Sequence, residues 1–291
     1  LPSLADHQSN TYVKLLLVGD AMSGKTGSLV SLVKAGYKLR ILDLYNKLDP
    51  LKYFALRDCP EAITNVEFRT LRDKRKTGAA GVVISGQPKA YIDTIKMLDR
   101  WKYTAEDGTE VDLGSPAEWG PDCILVIDSL SRLCDAAYDW REPLTPVGKS
   151  GERDGRAVYG DAQDAIENLL AMLTGPGMET NVIVIAHGMY MDLPDGTAKI
   201  FPQGVGQKLS PKIPQYFPAV IRYKNLNGKK SIQLKSDAMI DLANPAPFAM
   251  PETLGIETGL AEFFAVLREP PKQEITAIPP KPKSLTLKRT S

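Results

Sequence analysis

The chain has 291 residues, 43% of them hydrophobic and 24% charged, with a formal net charge of +1, so it suits one large core, alone or with a tail, and its charge names no partner. Three cysteines (Cys59, Cys123, Cys134) form no C-x-x-C pair and stand beside only two histidines, His7 and His187, which argues against a disulfide framework or a zinc site and for a reducing cytosol. No apolar run approaches the ~20 residues of a membrane span, and the first residues lack a signal-peptide core.

Taken in order, Val13 to Val18 predicts a buried strand, and it runs into Gly19-Asp20-Ala21-Met22-Ser23-Gly24-Lys25-Thr26, which matches G-x-x-x-x-G-K-T at every position. A helix over Lys25 to Lys34 follows, ended by Gly36. Leu39 to Leu44 predicts a second strand, and Asp49-Pro50 starts a short helix. Val66 to Leu71 suits another strand, and Pro88 to Lys102 a helix with Ile92, Ile95 and Leu98 on one side. Ile124 to Ile127 is a continuous aliphatic run of the kind buried on both faces of a parallel sheet, and it ends in Asp128.

Asp135 to Gly160 reads as a long polar loop, of the length that is functional or disordered inside a compact domain. Ala162, Ile166, Leu169, Leu170 and Leu173 then follow helical spacing up to Gly175-Pro176. Val182 to Ala186 is a strong strand ending at His187, and Val220 to Ser236 predicts a hairpin turning at Asn227-Gly228. From Arg268 onward, prolines and lysines predict a flexible tail. The chain contains no internal repeat.

The motifs carry phosphate chemistry. Gly19, Asp20, Ala21, Met22, Ser23, Gly24, Lys25, Thr26 and Gly27 form a loop whose amides point at β- and γ-phosphates, backed by a helix N-terminus. Lys25 supplies a mobile ammonium, expected to point into a solvent-filled site when no ligand is bound. Thr26 supplies a hydroxyl for Mg²⁺, and so ATP and Mg²⁺ are the expected cofactors. Asp128, at the end of a strand expected beside the first one, is either the second Mg²⁺ holder or a cap on the next helix. His187 either senses the γ-phosphate or is a satisfied structural residue.

The order P-loop, "DLYNKLDP", "ILVIDSLSRL", "YGDAQDAIENLL", "VIVIAHG", "PQGVGQKL" resembles the RecA-fold core ATPases. It is most similar to the short bacteriophage recombinase-like single-strand annealing ATPases. The resemblance implies an α/β, RecA-like P-loop core over residues 12–267, with a mainly parallel central sheet flanked by helices and a C-terminal β-hairpin. An N-terminal extension, 1–11, precedes it, and the tail, 268–291, follows. RecA carries Asp-Ala-Glu-His-Ala-Leu-Asp-Pro where this chain has Asp43-Leu44-Tyr45-Asn46-Lys47-Leu48-Asp49-Pro50. The water-polarising glutamate therefore falls on Tyr45, a phenol with a pKa near ~10 and a poor base at neutral pH. Asp43 or Asp49 is the candidate substitute; otherwise hydrolysis is slow.

The resemblance also implies single-stranded DNA along Asp135 to Gly160, with Arg141, Lys149, Arg153 and Arg156, and along Gly188 to Lys208, with Lys199 and Lys208. It implies a homo-oligomeric ring or filament, in which Lys235 reaches a neighbour's γ-phosphate, and a single-stranded-DNA-binding protein as a possible partner. The expected setting is cytoplasmic, the host bacterial cytoplasm for a phage protein, with no membrane. Two other function classes fit the P-loop: a nucleotide-gated assembly protein with little turnover, and a small-molecule kinase with 135–160 as its lid. The tail is expected to tether DNA phosphates or an acidic partner, or to have no role.

Overall fold

The computed structural model describes residues 12–79, 81–148, 151 and 153–268. The expected N-terminal extension and almost all of the expected tail lie outside them, as do His7 and Lys149.

Six parallel strands make the frame: β1 (Lys14–Gly19), β2 (Lys38–Asp43), β3 (Val66–Thr70), β8 (Gly120–Asp128), β9 (Thr180–Asp192) and β11 (Ala219–Leu226). Two small antiparallel hairpins stand off this sheet: β4 (Arg75–Gly78) with β5 (Gly81–Ile84), and β6 (Lys102–Thr104) with β7 (Glu110–Asp112). Three antiparallel strands complete the main sheet: β10 (Ala198–Pro202) on β9, then β12 (Lys229–Gln233) and β13 (Thr253–Gly255) beyond β11. The order is β13-β12-β11-β1-β9-β8-β2-β3, the mainly parallel α/β arrangement of a RecA-like P-loop fold. Alternation along each buried strand divides the core in two. Leu16, Val18 and Ile127 meet α4 (Ala90–Asp99), α5 (Leu130–Arg141) and α6 (Gly155–Thr174). Leu15, Leu17 and Val126 meet α2 (Val30–Lys34), α3 (Asp49–Asp58) and α8 (Gly259–Arg268) on the other face. A four-residue α1 (Lys25–Ser28) precedes α2, and α7 (Gly206–Leu209) follows β10. No helix among the described residues is long and apolar enough to cross a membrane.

Several expectations are corrected here. The aspartate strand β8 is not beside β1; β9 lies between them and pairs in parallel with both. The predicted loop 135–160 is largely helical. Leu133, Ala136 and Ala137 bury one side of α5 while its charges stay outside, and α6 begins at Gly155 with Asp154 capping the Arg156 amide at 2.9 Å. The segment 188–208 is also ordered: β9 continues past His187 to Asp192 and folds back as β10, pairing Tyr190 with Ile200. The helix foreseen over 88–102 is confined to α4, since its last residues turn into the β6–β7 hairpin. Arg268 closes α8 and donates to the Tyr37 hydroxyl at 3.0 Å, so it belongs to the core rather than to a tail. The Asn227-Gly228 turn forms as expected, with φ of 51° and 82° at the two residues.

Candidate nucleotide-binding site

The parallel strands end in register, and this brings the polar residues together. Gly19 lies opposite His187 on one side and Tyr223 on the other, and Asp43 lies opposite both Asp128 and Thr70. Glycine is required twice in the loop. At Gly19 an added Cβ would lie 2.5 Å from the Tyr223 carbonyl oxygen, and Gly24 has a φ of 99°. The loop then delivers Lys25 and Thr26 at the head of α1, above a cavity of about 540 Å³.

Lys25 does not point into solvent. It is 6% exposed, and its Nζ donates to the Gly19 carbonyl at 2.6 Å and the Asp20 carbonyl at 2.7 Å. Burial lowers its pKa to about 8, against the opposing pull of Asp128 and Asp20. Thr26 donates to Asp128 Oδ2 at 2.6 Å, tying the loop to the end of β8. Asp128 is nearly buried, and burial raises its pKa to about 6, with Asp43 adding to the rise and Thr26 and Lys25 opposing it.

His187 lines the same cavity, its pKa lowered by burial and then by Lys25 and Lys47, so the imidazole is neutral at pH 7. Tyr45 meets it edge to face, with ring centres 5.5 Å apart. Burial raises the Tyr45 pKa despite Arg132, whose guanidinium carbon lies 5.3 Å from the ring centre. A phenol so placed keeps its proton at neutral pH. Asp43 is buried, and its Oδ1 accepts from the amides of Tyr45 and Asn46 at 2.9 and 2.7 Å, which holds the turn after β2. Asp49 opens α3, exposed and outside the cavity lining.

The residues present suit Mg²⁺. Thr26 and Asp128 converge on the phosphate loop, a hydroxyl and a carboxylate side by side. No group of three or more His, Cys, Asp or Glu side chains gathers among the described residues. A Mg²⁺ here would be held by the Asp128 carboxylate, the Thr26 hydroxyl and phosphate oxygens rather than by an all-protein cage.

The AAA domain family matches residues 11–241. The chain belongs to that family. A comparison with curated proteins finds no match. Among solved structures, this AAA domain chain is similar to the ATP synthase subunit NeqB from Nanoarcheaum equitans, at a TM-score of 0.38 and 12% identity over 73% of this chain. It spans only 47% of that subunit. It is also similar to the RadB recombinase, at a TM-score of 0.37 and 15% identity, over 76% of this chain and 80% of that one.

Other expected residues of the AAA domain chain lie apart from the cavity. Lys235 is exposed and ion-paired with Glu252. Lys199 is paired with Asp241 at 2.7 Å, and Arg141 faces Asp161 at 3.8 Å beside Trp140. Arg153 donates to the Thr145 carbonyl at 3.2 Å. Arg156 and Lys208 are exposed, and Gly206, two residues before Lys208, faces the Tyr159 ring of α6, three residues after Arg156. Sequence reasoning missed Arg132, and it missed the cavity wall that Phe54, Lys230 and Ile256 make against the loop at Gly24 and Gly27. For Phe54 the signal was present, an aromatic on the helix after Asp49-Pro50. Ile256 sits in a stretch with no periodicity to reveal it.

Proposed function

We propose that this AAA domain protein binds ATP with Mg²⁺ and uses the bound nucleotide to govern a single-stranded-DNA-binding assembly in recombination, annealing or replication and repair. The observation that carries the nucleotide part is the convergence of Lys25, Thr26, Asp128 and neutral His187 on one cavity end. Lys25 would exchange its two carbonyl partners for phosphate oxygens, and His187 would donate to the γ-phosphate. Thr26 and Asp128 would hold Mg²⁺, which neutralises phosphate charge when bound. The apolar side chains Phe54 and Ile256 in the cavity lining, beside the loop, suit a nucleobase.

Hydrolysis is expected to be slow. Tyr45 stays protonated, and the Asp43 carboxylate already accepts two backbone amides. Tyr45→Glu should raise the basal ATPase rate by about 100-fold, at the low end of what a positioned general base contributes. A lower or unchanged rate in single-turnover assays would show that position 45 does not face the attacking water. These same two observations favour a second reading, a nucleotide-gated assembly protein with little turnover. The wild-type ATPase rate with and without single-stranded DNA separates the two: stimulated for the first, flat for the second.

For DNA, Arg156 and Lys208 are exposed beside Tyr159 and Tyr138, whose rings lie 4.7 Å apart, a combination of cations and stacking faces suited to a single strand. Arg156→Gln together with Lys208→Gln should weaken oligo-dT binding several-fold and flatten its salt dependence by ~1.4 in log–log slope. Unchanged anisotropy titrations across a salt series would remove this surface from the proposal. The assembly would be a ring or filament in which Lys235 leaves Glu252 for a neighbour's nucleotide. A phage origin, a host cytoplasmic setting and a single-stranded-DNA-binding partner belong to the same reading and rest on the sequence resemblance.

A further inference from the structure

The β4–β5 hairpin stands off the main sheet, and an isolated two-stranded hairpin is marginal in water. Its own register leaves much of it bare. Lys76 lies opposite Val83 on one face, and Thr77 opposite Val82 on the other, and all four side chains are exposed. Val82 is 67% exposed. What holds the hairpin is Arg75, which pairs with Asp139 of α5 at 3.1 Å.

Charge is mixed at its root, where Asp135, Asp73 and Glu142 add to burial in raising the Asp139 pKa, and cationic on the arm itself. Arg72, Lys74, Lys76 and Lys89 are exposed and make no ion pair among the described residues. The carboxylate within this run, Asp73, is used as a cap, accepting from the amides of Lys89 and Ala90 at 2.8 and 3.2 Å. Asp139 is consumed by Arg75.

Its position joins two regions already described. Asp139 holds the hairpin, while the preceding residue, Tyr138, packs on Tyr159 beside Gly206. The hairpin and the Tyr159 ring therefore both meet α5, through successive residues of that helix. At its root, Arg72 donates to the Tyr45 carbonyl at 3.1 Å, at the turn that lines the nucleotide cavity.

We infer that the β4–β5 hairpin is a second contact for single-stranded nucleic acid, in which Arg72, Lys74, Lys76 and Lys89 meet the phosphates and Val83, on the Lys76 face, lies against the bases. Unpaired cations on a thin two-stranded arm match a flexible polyanion. Arg72 joins this arm to the loop carrying Tyr45, so strand occupancy and nucleotide occupancy bias the same turn. The inference rests on the DNA reading above.

The test uses the full chain and a fluorescent oligo-dT strand, comparing wild type with Lys74→Gln/Lys76→Gln. Both positions are exposed, and an unchanged thermal melt with unchanged ATP affinity certifies the fold. The variant should bind about tenfold more weakly at low salt, with a log–log salt slope shallower by ~1.4. Val83→Ser should weaken binding with no change in slope. If wild type and both hairpin variants bind oligo-dT alike, while the Arg156 and Lys208 pair lowers binding, the hairpin is not on the path and the inference falls alone. If wild type binds no oligo-dT, the DNA reading itself fails and takes the inference with it. If the variants change sedimentation but not the DNA isotherm, the hairpin is a protein contact and the inference is overturned.

Discussion

Lys25→Ala is expected to lower affinity for ATP by roughly 100-fold or more while the protein still folds. The loss follows from charge-assisted hydrogen bonds, each worth about 1.5–3 kcal/mol, that the ammonium would form with phosphate oxygens. Survival of the fold follows from two opposed terms. The ammonium now serves the Gly19 and Asp20 carbonyls, which lose a donor on substitution. Against this, burial has lowered the Lys25 pKa from 10.5 to about 8, so the charged form is penalised in the folded state. That penalty is fully present below about pH 8 and is relieved as pH rises toward 10.5, and alanine removes it at every pH. The melting temperature of the ligand-free variant should therefore stay within a few degrees of wild type at pH 7. Wild-type affinity for a fluorescent ATP analogue in the variant would mean that the cavity above α1 is not the nucleotide site.

The nucleotide loop was legible because its letters are a local constraint. Gly19 and Gly24 are there for a backbone contact and a left-handed φ that few other residues tolerate, and Lys25 and Thr26 follow at fixed spacing. The buried strands at Ile124 and Val182 were legible for a related reason, since burial on both faces leaves an unbroken aliphatic run. Strand order was not, because which strand enters the central slot depends on crossovers that no local pattern records; hence β9 between β1 and β8. Helix α5 was hidden by its own amphipathicity: Arg132, Asp135 and Asp139 form a charged outer side that reads as a polar loop, while Ala136 and Ala137 supply a weak apolar signal for its buried side. Arg132 went unnoticed for the same reason, although it is the cation nearest the Tyr45 ring after Lys47. The cavity wall at Ile256 is more than two hundred positions from Gly24, where an added Cβ would lie 3.1 Å from it, and only the folded sheet brings the two together.

Asp128→Asn should separate metal binding from stability in opposite directions. The Asp128 carboxyl titrates near 3.8 when unfolded and about 6 when folded, chiefly because burial penalises its charge. Between those two values the folded state holds the proton that the unfolded state has released, so stability falls as pH rises through the window. Above about pH 6 the full cost is present, of order 2–3 kcal/mol for a shift of about two units in a nearly buried group. Asparagine keeps an oxygen that can accept from Thr26, as Oδ2 does now at 2.6 Å, and it carries no charge. The ligand-free variant should accordingly melt several degrees above wild type at pH 7.5, with the gap closing as pH approaches 4. With ATP and Mg²⁺ the order should reverse. In wild type the cation would make the costly carboxylate a ligand, and Mg²⁺-ATP should raise the melting temperature, less so below about pH 6, where Asp128 takes up a proton. In the variant, Mg²⁺ should add little to the stabilisation given by ATP alone, at any pH between 5 and 8. Equal Mg²⁺-dependent stabilisation of the two proteins would place the metal elsewhere and leave Asp128 as the residue that fixes Thr26 at the head of α1.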